Sequence, residues 1–372
     1  MMARIRHFAL FSLSSSLLFF VGLVLAQTPN QTKQTLPISL GTSGGNVHDA
    51  TKRFCCSGTL GALVADAGGT QFILSNNHVL ADTDAATPGD NISQPGLVDV
   101  GCVPTPANSN TVSHFSTTKP LGTANIDAAL AQVVSGAVKT SGDILEVGVP
   151  STTEATPAVG AGVAKSGRTT GLTCAAIASI STNVLVEYQH GCGKGKKFRI
   201  PYINQVLVNG SAFSAAGDSG SLIVTQAAAQ PVALLFAGSS TTTVANPISD
   251  ITNAFGVTLV GGADHPVSCP AAAVTLSPAA ARGPLVGSVE RARLAKEHHA
   301  DRLMQDDAVI GVGVGADPAD PSEAVVVIYL EQGRPHGPIP AELDGVRTLV
   351  VRTDAFRAFG WNEPHARPCR AQ

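Results

Sequence analysis

Gly217-Asp218-Ser219-Gly220-Ser221 has the make-up of a nucleophile-bearing turn. A serine hydroxyl attacks a carbonyl when it stands on a tight turn whose backbone N–H groups face the developing oxyanion. Glycines on both sides permit that turn, because a Cβ would block unusual dihedrals and the approach of substrate. Ser219 would then be the nucleophile, and the N–H groups of Gly217 and Ser219 the oxyanion hole. A serine is inert without a base, and two upstream residues could supply one. His78 follows the apolar run Gln71–Ser75 through two asparagines. Asp127 enters the otherwise apolar stretch Asn125-Ile126-Asp127-Ala128-Ala129-Leu130. A buried carboxylate costs several kcal/mol unless hydrogen-bonded, and the imidazole N–H of His78 would satisfy it. His78 would accept the serine proton and return it to the leaving group, while Asp127 fixes the imidazole tautomer and stabilises its charged form. Taken singly, these two are a loop histidine and a strand-capping aspartate. Their order along the chain, with room between them for half a barrel to a barrel of strands, favours the joint reading.

The surrounding elements must bring the three together. From about 51 to 262 short Val/Ile/Leu-rich runs alternate with Gly, Pro, Asn and Ser, as in Thr59–Val64, Asn183–Tyr188 and Ser221–Val224. Short strands without long amphipathic stretches between them indicate an antiparallel barrel or sandwich, hence an all-β fold. Ile248 to Phe255 reads as a short closing helix. The composition agrees: charged residues are 14%, aromatics 5%, with 38 glycines and 23 prolines. A formal charge of -3 argues against a nucleic-acid partner, and the Lys-rich stretch at 193–197 reads as a hairpin tip.

The ends differ from the middle. Arg4 and Arg6 precede an apolar run from Phe8 to Leu25, and Val24-Leu25-Ala26 offers small residues at a cleavage site. Residues 1–26 therefore read as a signal peptide, giving a secreted or periplasmic protein with no stable membrane span after cleavage. The rival is an uncleaved anchor. Residues 27–50 read as a flexible lead-in, 51–262 as the main domain, 263–285 as a Pro- and Ala-rich linker, and 286–372 as a small α+β module. In that module a helix over 289–306 precedes strands at 309–314, 324–330 and 346–351. His298 and His299 lie beside Glu297; neighbours on a helix point apart, so a solvated face is expected, not a metal site. Neither a cofactor nor a metal is expected. Seven cysteines in an exported chain suggest disulfides, with at least one cysteine unpaired within the chain. Asn30, Asn91 and Asn209 stand in glycosylation sequons.

On these residues the region 55–260 resembles the trypsin-like (chymotrypsin-fold) serine peptidases. The strand-turn-His segment, the aspartate run and the Gly-Asp-Ser-Gly elbow occur in family order. Ser166-Gly167-Arg168-Thr169-Thr170-Gly171 with Cys174 resembles a segment of bacterial secreted members such as α-lytic protease and the streptogrisins. Phe236–Ser240 and Asn246-Pro247-Ile248 are similar to segments of the narrow-leaf group, in which a stretch like Gly311–Val314 accompanies the peptidase in another arrangement. The resemblance implies two antiparallel six-stranded β-barrels, an acyl-enzyme mechanism and a protein or peptide substrate. It also exposes departures. Ala164 stands where Cys174 would have its partner, so a bridge from Cys174 to Cys192 is expected. Val79 replaces another family cysteine, leaving Cys55 or Cys56 for Cys102. Lys165 stands where the family has an arginine, and is expected to pair with Asp218. Ala237 stands near the position of the serine that supports the catalytic aspartate, so Asp127 needs another donor. Phe213, Gly238 and Ser239 would line the substrate pocket. Nothing acidic lies in 208–216, and a cation without a counter-ion is costly there, so a small or medium apolar residue is expected at the cleavage position. The expected activity is exported endopeptidase. The alternatives are a binding or scaffold protein with an idle triad, and an esterase.

Overall fold

The computed structural model describes residues 27–193, 195–270 and 283–358, and the backbone of 367–368. The expected signal peptide and most of the expected linker lie outside the described residues. The first half builds β1 (Thr42–Asn46), β2 (Phe54–Cys55), β3 (Gly58–Leu60), β4 (Ala62–Asp66), β5 (Gln71–Ser75), β6 (Asn91–Gln94), β7 (Asn110–Thr118) and β8 (Ala129–Val133). The second builds β9 (Gly162–Gly167), β10 (Gly171–Gln189), β11 (Lys197–Asn209), β12 (Leu222–Thr225), β13 (Pro231–Gly238) and β14 (Thr242–Pro247).

Both sets curl closed. In the first, the order runs β4-β5-β8-β7-β6-β1-β3, and β3 and β4 are one strand bent at Gly61, so six strands meet themselves. In the second, β11-β14-β13-β12-β9-β10 closes because β10 also pairs with β11. The fold is therefore the all-β, two-barrel chymotrypsin-like arrangement. Aliphatic side chains such as Leu63, Ile73, Ile92 and Val112 fill the first barrel, and Val163, Val206, Ile223 and Leu235 the second. Closure leaves no free sheet edge in either. A short helix α1 (Asn77–Leu80) leaves β5, and α2 (Ile248–Phe255) leads to β15 (Val257–Leu259), which returns to pair with β4.

Two expectations are revised. The lead-in is built into the first barrel: β1 is buried throughout, and Ile38 and Leu40 are core residues. Its Gly- and Ser-rich composition concealed a strand whose partners lie elsewhere in sequence. Asn30 is buried and donates to Gly41 O and Ser166 Oγ at 2.9 Å each, which leaves no room for a glycan on that side chain.

The C-terminal elements are α3 (Val286–Leu303), β16 (Val309–Ala316), β17 (Ala324–Glu331), β18 (Glu342–Leu343), β19 (Val346–Thr353) and β20 (Phe356–Arg357). They extend the second barrel's sheet: β16 pairs antiparallel with β10, β17 with β16, and β19 runs parallel to β17. The close approach of β16 to β10 relies on small residues, Gly311 facing Val184 and Gly315 facing Ser179. Lys296 on α3 donates to Asn183 Oδ1 at 2.6 Å. A last pair, β21 (Arg367–Pro368), lies antiparallel to β2 on the first barrel.

Disulfides link Cys55 to Cys102, Cys56 to Cys192, and Cys174 to Cys269. The expected bridge from Cys174 to Cys192 does not form. Cys192 sits at the tip of the long β10–β11 hairpin, which reaches across to the first barrel, whereas Cys174 lies near the hairpin's base. Cys369 lies outside the described residues.

Candidate active site

The register of β5 against β8 pairs Ser75 with Ala129, so the chain after Ser75 faces the chain before Ala129. That sets His78, in α1, opposite Asp127, and both are fully buried. His78 Nδ1 lies 2.6 Å from Asp127 Oδ2. The other oxygen accepts from Asn77 N at 2.8 Å and His78 N at 3.4 Å, so the carboxylate caps the first turn of α1. The backbone of Asp127 is fixed as well: its N–H donates to Asn246 Oδ1 at 2.9 Å and its carbonyl accepts from Asn76 Nδ2 at 2.8 Å.

The donor that Ala237 cannot supply is Tyr188. Its hydroxyl donates to Asp127 Oδ2 at 2.8 Å and lies 2.7 Å from the Tyr202 hydroxyl. Both phenols titrate above their ordinary range, chiefly because they are buried and then because the Asp127 carboxylate opposes a second negative charge. Tyr188 lies on β10, and its ring meets that of His78 edge-on with centroids 6.2 Å apart. The bridge from Cys56 to Cys192 fastens the tip of this hairpin to the first barrel. Sequence reasoning identified the need for a donor but not the residue. Tyr188 reads as one more apolar position of a strand, and nothing local marks its hydroxyl.

Ser219 stands on the expected turn. Gly217 and Gly220 have φ of 94° and 97°, a region costly for any residue with a Cβ. A Cβ on Gly220 would also lie 2.2 Å from Ser75 Oγ and from Thr59 O. The turn is tied to the first barrel by Thr59 N donating to Ser219 O at 2.8 Å and Thr59 Oγ1 to Gly217 O at 2.8 Å. Within the turn, Asp218 N donates to Ala215 O, Gly220 N to Leu235 O and Ser221 N to Asp218 O. Among the described residues, the N–H groups of Gly217 and Ser219 make no hydrogen bond. Two uncommitted donors, two residues apart on the turn that carries a serine hydroxyl, are what an oxyanion requires.

Asp218 points away from this pair of donors. Its carboxylate accepts from Thr169 N (2.8 Å), Thr170 N (3.2 Å), Thr170 Oγ1 (2.7 Å) and Ala215 N (2.9 Å), and from Lys165 Nζ at 3.3 Å. Lys165 is buried on β9 and also donates to Gly171 O and to Thr170 Oγ1. Burial outweighs the attraction of Asp218 and Glu146, so its ammonium titrates below the usual lysine range. Arg168, next along the motif, forks onto Asp99 at 2.6 and 2.8 Å and ties the two barrels together.

Of the residues expected to line a pocket, Phe213 is buried in the second barrel's core with Val163, Ile177 and Ile223. Gly238 and Ser239 lie together at the end of β13 and meet the C-terminal segment. Gly238 pairs with Arg357, and Ser239 Oγ accepts from Thr353 Oγ1 at 2.6 Å.

His298 is exposed and His299 half-buried on α3, yet the two imidazoles do not point apart. His298 Nδ1 and His299 Nε2 both converge on Asp344, at 2.8 and 3.0 Å, and the three ligand-type atoms lie within 4.8 Å of one another. The chain bends back at Asp344 to place one carboxylate between two adjacent imidazoles, which side-chain rotation off the helix allows.

Comparison with protein-family models and with curated proteins gives no match. Solved structures do match. A glutamic-acid-specific serine protease that uses a histidine triad in substrate binding covers 60% of this chain and 100% of its own, at 20% identity and a TM-score of 0.43. Cellulomonas bogoriensis chymotrypsin covers 60% and 99%, at 16% identity and a TM-score of 0.41. Thermobifida fusca protease A covers 59% and 98%, at 19% identity and a TM-score of 0.39. Each of these likenesses is at low identity. The roles of its residues rest on its own geometry.

Proposed function

We propose that the protein is an exported serine endopeptidase, with Ser219 as nucleophile, His78 as general base and acid, and Asp127 as the carboxylate that orients the imidazole. The observation that carries this reading is the buried pair of His78 and Asp127, 2.6 Å apart, with the carboxylate held by three further donors. An anion so heavily solvated by the protein fixes the Nδ1–H tautomer and leaves Nε2 to exchange protons. Ser219 would form the acyl-enzyme. The N–H groups of Gly217 and Ser219 would stabilise the oxyanion, a contribution of about 10²–10³ in rate per donor. Lys165 neutralises Asp218, so the turn is formed without a freshly cut N-terminus.

Phe213 is buried in the second barrel's core, and no acidic residue stands in 208–216. A small apolar residue is expected at the cleavage position, where no counter-ion offsets a cation. Three disulfides suit an oxidising compartment, and no helix among the described residues is long and apolar enough to cross a membrane.

Labelling by a fluorophosphonate tests the nucleophile. Label is expected on Ser219, and none on Ser219→Ala or His78→Ala. Digestion of a peptide library then separates a peptidase from an esterase. A chain that takes no label in any form, including with the C-terminal segment dislodged, would be a binding protein with an idle triad.

A further inference from the structure

The groove beside Ser219 is filled by the protein's own chain. After β19 the backbone turns at Asp354, whose Oδ1 accepts from Ser240 N at 3.0 Å, and enters β20. There Arg357 lies antiparallel to Gly238 on β13 and the segment runs parallel to Val186–Glu187 on β10. Ala358 N donates to Glu187 O at 3.1 Å. Arg357 Nε meets Glu187 Oε1 at 3.2 Å. The next carbonyl, that of Ala358, accepts from Ser219 Oγ at 3.3 Å. The backbone resumes its pairing at Arg367–Pro368, on β2 of the other barrel. An extended segment held between two strands, with one carbonyl within hydrogen-bond reach of the nucleophile and the onward chain bound to the opposite barrel, occupies the place of a peptide ligand.

We propose that the peptide bond after Ala358 is the enzyme's own cleavage site, and that the product stays in the groove. The proposal rests on the peptidase reading above. Alanine is a small apolar residue of the kind expected at the cleavage position. Holding bond and nucleophile in one molecule removes the entropic cost of encounter, which is worth up to about 10⁵–10⁸ M in effective concentration. The carbonyl oxygen turns from Ser219 Oγ toward the N–H groups of Gly217 and Ser219. Oγ then bonds to the carbonyl carbon and its proton passes to His78. The C–N bond to Phe359 breaks as His78 returns the proton to the new amine. Water hydrolyses the acyl-enzyme through the same base and restores the hydroxyl. The products are a chain ending in the Ala358 carboxylate and the peptide 359–372.

Retention follows from packing. Phe356 is fully buried, edge-on to Tyr329 at 5.8 Å, and Ala355 and Ala358 are buried with it. The new C-terminus is anchored in the core that joins the barrel to β16 and β17. It leaves the groove only at the expense of that core, so cleavage in cis occurs once and other substrates enter slowly.

Intact mass and a chromogenic peptide carrying Phe-Arg-Ala before the leaving group test both parts. The wild-type chain is expected to end at Ala358 and to hydrolyse the peptide slowly. Ser219→Ala is expected to keep residues 359–372. Arg357→Glu, which places a second carboxylate against Glu187, is expected to slow self-cleavage and raise peptide hydrolysis at least tenfold. A wild-type chain that keeps residues 359–372 yet hydrolyses the peptide would overturn the inference and leave the peptidase reading standing. Neither cleavage nor fluorophosphonate labelling, in wild type or in Arg357→Glu, would overturn both.

Discussion

Replacing Lys165 by methionine isolates the pair that braces the nucleophile turn. Methionine matches the length of the lysine stem and brings no charge. Asp218 would keep its four hydrogen bonds from Thr169, Thr170 and Ala215 but lose the buried ammonium of Lys165. Removing one partner of a buried ion pair costs about 3–5 kcal/mol. The remaining donors place this case near the lower figure. At about 2 °C per kcal/mol in a chain of this size, the melting temperature should fall by about 6 °C. The ammonium is itself held below its ordinary range by burial, so the pair is retained for geometry more than for net stability. Accordingly, Lys165→Met with Asp218→Asn should be less destabilised than the sum of the two single changes, by at least about 1 kcal/mol. Thermal and urea unfolding of the four proteins measures the cycle, and fluorophosphonate labelling of Ser219 in the Arg357→Glu background reports whether the turn survives. Additivity of the two substitutions within about 0.5 kcal/mol would refute the pairing argument.

Other outcomes follow from the same structure. Tyr188→Phe removes a donor from the Asp127 carboxylate; at about 1.5–3 kcal/mol for a bond to a charged group, the rate of fluorophosphonate labelling of Ser219 in the Arg357→Glu background should fall by about 10- to 100-fold. Tyr188 and Tyr202 have pKa values raised by folding, so their stabilising contribution is complete below pH 10 and is lost as pH rises past it. Lys165, lowered by folding, works in the opposite sense only up to about 10.5, so urea midpoints should decline above that pH, and less steeply in Tyr202→Phe. Asp49 is raised well above the usual carboxylate range by burial and by Asp82, which makes its ionisation at neutral pH a burden on the fold. Asp49→Asn should therefore raise the melting temperature at pH 7.5 and leave it nearly unchanged at pH 4. Cys56→Ser with Cys192→Ser opens a long loop, at a cost of about 2–4 kcal/mol, and frees the hairpin that carries Tyr188, so labelling of Ser219 in the Arg357→Glu background should slow along with the loss in stability.

Much of the site was legible in the chain because its parts are local. Glycines at 217 and 220 specify a turn through their own dihedrals. The apolar alternation around residues 71–75 and 128–133 specifies strands, and a lone Asp in such a run advertises a need for donors. Lys165 could be matched to Asp218 through the motif that carries it. What stayed hidden was the choice among chemically equal partners. Cys174 had several cysteines within the sequence's reach and took Cys269, because Cys192 travels to the far end of the hairpin. Asp127 needed a hydroxyl, and Tyr188 provides it by crossing from the second barrel. The C-terminal strands looked like a separate module, yet they join the barrel's sheet, and their last residues lie against Ser219. Dihedral preference and hydrophobic period are properties of neighbours along the chain, so sequence determines them. Which donor, thiol or strand edge lies within a few ångströms depends on how closed barrels and a long hairpin meet in space, and only the tertiary structure decided that.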